Sequence, residues 1–319
     1  MASLVVGTSG RQYVRGKVLH HDERNRPTVF KAMCGDEPVV FKHVSESIYS
    51  HSRLLATELA GASRLRMPID TTTTNESSFN SYFTDTLLSL VRADPDVPAN
   101  ELKKILRYAG EGIQEFHVKG WLHNDTSRIT SSSTGHTPQI TTRRSLSATL
   151  GDFDISFKPE RETPLRTKHP LGNFMWRSPE GQTGSGVTKA SDVFSFGLVC
   201  IYALGGADLL LLEDDQELAE LAANGISPEQ AILTRHFSYF GPATTGLFQQ
   251  VDSHWHDVLK GVSADAVRAL RDFPDQRFEV WGKALGPMAL DMISGMTNPD
   301  PTARPTINEV LEHPWWEEP

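Results

Sequence analysis

The spacing of apolar positions changes at about residue 92. Before it, short β-branched and aromatic runs alternate with turn residues. "TVFKAM" and "PVVFKHV" flank the Gly-Asp turn of "CGDE" and predict a hairpin. "HSRLLATELAGASRLR" then predicts a helix with Leu54, Leu55, Leu59 and Leu65 on one broad face, and "TTTTNESSFNSYF" predicts polar turn material and a short strand. From Asn100 the period is helical. Leu102, Ile105, Leu106, Ala109, Ile113 and Phe116 recur at steps of three and four, with Asn100 the expected cap. "SDVFSFGLVCIYAL" is apolar on every side, as suits a helix at the centre of a large domain. "RPTINEVLEHPWW" opens on a Thr306–Glu309 capping box behind Pro305 and closes at Pro314. A sheet-rich part followed by a larger helical part is therefore expected. The stretch from Thr126 to Thr149 fits neither, being rich in Ser and Thr with no apolar period.

Composition narrows the functional classes. The chain has 319 residues, 38% of them hydrophobic, enough to fill the core of one large domain. A net charge of -9 argues against a nucleic-acid partner, because phosphate contacts need clustered Lys and Arg. No apolar run is long enough to cross a membrane, and the opening "MASLVVGTSG" lacks the pattern of a secretory leader. The two cysteines, Cys34 and Cys200, make no disulfide framework. An intracellular protein, cytoplasmic or nuclear, is expected. In "DSHWHD", His254 and His256 lie near Asp252 and Asp257, but without a distant third ligand they read as solvated loop histidines.

Four residues stand in a meaningful order: Lys42 at the end of a strand, Glu58 on the following helix, Asp125 after "WLHN", and Asp152 opening "DFD". Singly they read as a solvated lysine, a helix surface charge and turn or cap aspartates. Together with "GNFMWRSPE", "SDVFSFG" and "NPDPTARPTINEVLEHPWW", the chain resembles the eukaryotic protein kinase superfamily from about Tyr13 to Trp316. Ser178, Pro179 and Glu180 stand at the A-P-E positions, Asp192 and Gly197 match D-x-W-x-x-G, and Arg304 would pair with Glu180. The stretch between Ala207 and Trp281 resembles the insert of a fungal branch of the Ser/Thr-type kinases.

The resemblance implies a single α+β, bilobal protein-kinase-like domain, with a small β-rich lobe over 1–86, a larger helical lobe over 87–319 and a hinge near Phe83 to Leu90. It implies ATP and magnesium as cofactors and a protein as substrate or partner. Lys42 would hold the α- and β-phosphates with Glu58 as its helix partner, Asp125 would be the catalytic base, and Asp152 would bind magnesium.

The departures from the family are equally specific. Asp22, Arg24 and Pro27 stand where the three glycines of the phosphate loop belong, which removes the close backbone approach that cradles phosphate. Val40 replaces the alanine beside the adenine, Asn124 the arginine before the base, Asp154 the glycine of D-F-G, and Asn173 the threonine of the activation segment. Ser127 and Thr130 replace the lysine and asparagine of D-x-K-P-x-N, and neither supplies the charge or carbonyl that it replaces. Impaired phosphotransfer follows, with a pseudokinase that binds or scaffolds partners as the alternative.

Asp125 to Gly135 also reads as the family's loop shifted by one nucleotide. Deleting one base from the isoleucine codon of D-I-K-P-D-N-I-L-V-N-W-T yields D-T-S-R-I-T-S-S-S-T-G with permissive codon choice. Translation out of frame from Thr126 to a point before Leu150 is one expectation. A diverged, disordered loop is the other.

Overall fold

The computed structural model describes residues 3–22, 24–72, 77–83, 85–94, 96–127, 129–134, 145–160, 163–206, 210–212 and 215–318. The first lobe is an antiparallel sheet of six strands: β1 Leu4–Val6, β2 Gln12–His21, β3 Pro27–Cys34, β4 Glu37–His43, β5 Asp70–Thr71 and β6 Ser77–Ser81, in the order β1-β2-β3-β4-β6-β5. The expected hairpin is β3–β4, turning at Gly35 with a φ of 59° that favours glycine. Alternation puts Phe30, Ala32, Val39 and Phe41 on one face, where they bury against Tyr13 and Phe79. Facing register sets Lys42 opposite Val29 and Ser78.

The turn after β1 docks on Asp70, which accepts hydrogen bonds from the Thr8 hydroxyl (2.9 Å), the Ser9 hydroxyl and the Tyr13 hydroxyl (3.0 Å). Gly7 sits against that carboxylate with no room for a Cβ.

Helix α1 spans Glu46–Glu58 and is capped by Ser45, so it begins earlier than its leucines suggest. Leu55 and Leu59 are buried, but Leu54 is 49% exposed, and Leu65 lies past the helix, paired with Leu150. The four leucines do not share one face, because the helix ends before Leu65 can join it.

The second lobe begins with α2 Leu87–Ala93 and α3 Ala99–Val118. Pro98, not Asn100, occupies the cap of α3, since the helix starts two residues sooner than expected. The predicted apolar stripe of α3 is buried throughout. Helix α4, Pro179–Thr183, leads to α5, Lys189–Ile201, whose apolar girth is explained by burial on all sides. Further helices include Pro228–Phe240, His256–Asp272, Pro287–Met296 and Ile307–Leu311, the last carrying the Thr306–Glu309 capping box. None of the helices among the described residues is long and apolar enough to cross a membrane.

The Ser/Thr-rich stretch does contain regular structure. Strands β8, Ile129–Thr134, and β9, Ser145–Leu150, pair antiparallel, with β7, Asp85–Thr86, beside β8. Ile129, Ala148 and Leu150 are buried, with β9 packed on α3 and β8 on α2. Residues 135–144 lie outside the described residues.

Candidate active site

A cleft of about 520 Å³ separates the lobes, with apolar walls at Val29, Val40, Leu55 and Met67 and polar ones at Ser78, Asn80 and Asp152. Lys42 projects into it from the end of β4. Its Nζ lies 3.0 Å from Asp152 Oδ1 and also donates to Asp154. Burial pushes the lysine's pKa down, but the two carboxylates outweigh it and hold the ammonium above its ordinary value.

Asp152 adopts a φ of 63°, a left-handed conformation uncommon for a residue with a side chain. Its neighbours hold it there. Gly151 O lies 3.2 Å from His123 Nε2, and the Phe153 ring stacks on Phe116 with centroids 5.1 Å apart.

Glu58 is not brought to Lys42. Its carboxylate accepts from Trp121 Nε1 at 2.9 Å and from Lys158 Nζ at 2.5 Å. The physical reason is position. Glu58 is the last residue of α1, where it meets Trp121 and Lys158 at the helix end, whereas α1 turns Ser52 and Leu55 toward the cleft. Among the described residues, the ion-pair partners of Lys42 are Asp152 and Asp154.

Asp125 is organised from behind by Asp192 on α5. The buried Asp192 carboxylate accepts from His123 N (2.8 Å) and Asn124 N (2.9 Å) and lies 2.9 Å from His117 Nε2. Burial raises its pKa, yet the His117 bond and charge overcome this and hold it low. Asn124, at a φ of 65°, donates through Nδ2 to Ile155 O at 2.9 Å. His123 joins the two acidic segments, because Nδ1 accepts from Asp125 N at 3.2 Å while the opposite edge faces Gly151 O. Ser127, in the place of the expected lysine, donates to Asp125 Oδ1 at 2.5 Å. Thr130 lies in β8 opposite Thr86 and Thr149.

The tip between β2 and β3 closes on itself. Asp22 Oδ1 accepts from Arg24 N (3.0 Å) and Arg26 N (2.8 Å), and Oδ2 accepts from Arg26 Nε at 2.8 Å. Backbone donors that a glycine loop would turn toward an anion are here turned toward the chain's own carboxylate.

Elsewhere the helical lobe carries the expected pair. Arg304 Nη1 and Nη2 reach Glu180 Oε1 and Oε2 at 2.7 and 2.9 Å, fully buried, with Ser191 Oγ adding a third bond at 2.7 Å. Asn173 caps the short 3-10 helix Phe174–Trp176 by accepting from Met175 N, which gives it a structural task in the activation segment. Among the described residues His254 and His256 join no metal-ligand cluster, and His256 Nε2 lies 2.8 Å from Phe248 O.

Sequence reasoning missed the roles of Lys158, as partner of Glu58, and of Asp154, as partner of Lys42. The second left a signal in the extra carboxylate of "DFD".

Comparison with known proteins bears on the family and the fold. A calcium and calcium/calmodulin-dependent serine/threonine-protein kinase of Lotus japonicus is 18% identical over 97% of this chain and 47% of its own length. Calcium-dependent protein kinase 20 of Oryza sativa subsp. japonica is 34% identical over 65 residues, 20% of this chain and 11% of its own. The chain thus spans about half the length, or less, of these curated relatives. The fold matches a chain in the crystal structure of the yeast RNA Pol II CTD kinase CTDK-1 complex, with a TM-score of 0.68 at 14% identity over 96% of this chain and 93% of that one. The family model for the protein kinase domain matches residues 75–316. With most of its length covered by that match, the chain belongs to the protein kinase domain family.

Proposed function

We propose that this domain binds ATP and one magnesium ion between its lobes and transfers phosphoryl groups to Ser or Thr hydroxyls of a protein substrate, at a rate impaired by its altered loops. The single observation that carries this is the meeting of Lys42 and Asp152 in the cleft, 3.0 Å apart. An ammonium and a carboxylate on apolar walls fit a nucleotide triphosphate and a hard cation. Bound there, the nucleotide supplies the transferable phosphoryl group and the metal neutralises its charge.

The protein's own part is positional. Lys42 holds phosphate oxygens, Asp152 holds the cation, and Asp125 orients the attacking hydroxyl and takes its proton. Glu58 has no place in this proposed site, being engaged by Lys158. The closed tip at Asp22 and the exchange of a lysine for Ser127 account for the impairment. A general base contributes only about 10² to 10⁴-fold, too little to restore a rate lost through charge and positioning.

A second reading, a pseudokinase that scaffolds protein partners, draws on the same closed tip. Thermal unfolding with and without Mg·ATP, followed by a phosphotransfer assay, separates the two. Magnesium-dependent stabilisation with turnover that vanishes in Asp152→Asn supports the enzyme. Stabilisation without turnover, or no stabilisation at all, supports the scaffold.

A further inference from the structure

The lysine of the cleft needs a fixed carboxylate if its ammonium is to stay aimed while Asp152 is engaged by a cation. Helix α1 does not supply one, because it presents Ser52 and Leu55 to the cleft. Recruiting Glu58 would cost the bonds to both Lys158 and Trp121, and Trp121 is itself packed against His51 and Phe116.

We propose that Asp154, the residue replacing the family's glycine after Asp152 and Phe153, is the positioning residue for Lys42, in place of a helix carboxylate. This rests on the proposed function above, and it assigns the two aspartates different tasks: Asp152 faces the cation, and Asp154 keeps the lysine.

The geometry points to a built arrangement. Asp154 bonds Lys42 directly and is 29% exposed at its side chain. The turn carrying it is pinned on both sides. Asn124 Nδ2 donates to Ile155 O at 2.9 Å, while Ser156 donates to Phe153 O through its backbone N (3.0 Å) and its hydroxyl (2.7 Å). His51, on the cleft-side turn of α1, lies 2.8 Å from the Ser156 hydroxyl, so the helix grips the turn rather than the lysine. Two departures from the family thereby become one device. Asn124, where an arginine is usual, ties down the segment on which Asp154, where a glycine is usual, reaches Lys42. Charge-assisted hydrogen bonds are the strong ones, and a carboxylate on a pinned turn gives up little freedom to make one.

The test uses the full chain and two readouts. In the first, calorimetry measures the dissociation constant of Mg·ATP. Asp154→Asn is expected to weaken binding roughly tenfold, as loss of one charge-assisted contact does. Asp154→Glu, which retains the charge, is expected to recover most of that, and Glu58→Gln to stay within about twofold of the parent. Equal or tighter binding by Asp154→Asn would make Asp154 a bystander or a competitor of the phosphates and overturn the proposal, as would equal weakening by Glu58→Gln.

The second readout needs no nucleotide. The melting temperatures of Lys42→Met, Asp154→Asn and the double variant are expected to be non-additive, whereas Lys42→Met with Glu58→Gln is expected to be additive. Additivity in the first cycle overturns the proposal. A parent that binds no Mg·ATP sinks the proposed function but leaves this cycle to decide the Lys42–Asp154 pairing.

Discussion

The helical lobe and the phosphate end of the cleft differ in what surrounds their charges. In the helical lobe, Glu180 and Arg304 are completely buried and doubly bonded, and Asp192 is buried with three nitrogens around it. At the phosphate end Lys42, Asp152 and Asp154 are partly exposed, and the hairpin tip folds onto Asp22, which is partly exposed too. Glu180 and Arg304 stand where the resemblance to the family is strongest, while Asp22 and Asp154 stand at departures from it. Removing one member of a buried pair strands the other, so deep positions resist change, while a charge near water can find a new partner at small cost.

The comparison breaks most sharply at Arg304. Arg304→Leu strands Glu180 and should cost about 3–5 kcal/mol in urea unfolding, whereas pairing it with Glu180→Leu should return much of the loss. If the single variant costs no more than a surface substitution, the contrast between regions is mistaken. Next in size, Asp192→Asn should cost about 2 kcal/mol, because a carboxylate serving three nitrogens becomes an amide with one oxygen. Amide exchange at His123 and Asn124 should quicken in step, and unchanged protection would refute the role given to Asp192.

Acid stability should depend on Asp70. Burial raises the Asp70 pKa, but donors from Ser9, Thr71 and Thr8 outweigh it and lower the group from 3.8 to about 2. A carboxyl held low in the folded state stabilises fully above its unfolded value, and that contribution disappears as pH falls from about 4 toward 2. Asp70→Asn should therefore be less stable than the parent at neutral pH and converge with it in that acid window. Parallel stability curves would contradict this. The smallest expected effect is at the tip. Asp22→Gly, Arg24→Gly and Pro27→Gly combined should tighten Mg·ATP a few-fold by freeing backbone donors, with little change in melting temperature. Weaker binding would show that the closed tip is not the obstacle.

Legibility from sequence follows the same division. The apolar period of α3, the all-round apolar run of α5, the β3–β4 hairpin and the Thr306–Glu309 box were readable because each is written within a few neighbouring residues. The Glu180–Arg304 pair was readable because its flanking motifs are strong. The exchange of partners around Lys42 was not, since Glu58 occupies a plausible place in the sequence and only its end position on α1 diverts it to Lys158. The Ser/Thr stretch hid β8 and β9 because the alternation of Leu146, Ala148 and Leu150 is short and Ile129 stands among hydroxyl side chains. Its similarity to a loop shifted by one nucleotide remains a proposal about the gene. A transcript with an intact reading frame through "TSRITSSSTGH", and no insertion or deletion relative to near relatives, would refute it.

Under the proposed function, Lys42 and Asp152 form a working, if weakened, nucleotide site. Its most direct test is the melting temperature of the full chain titrated with ATP in the presence and absence of magnesium, beside Lys42→Met and Asp152→Asn. A ligand at about ten times its dissociation constant stabilises by about 1.4 kcal/mol, so about 10 mM Mg·ATP makes binding with a dissociation constant of about 1 mM visible. The account predicts a magnesium-dependent rise in the parent that both variants lose. No rise at saturating ATP, or a rise indifferent to both substitutions, would contradict it.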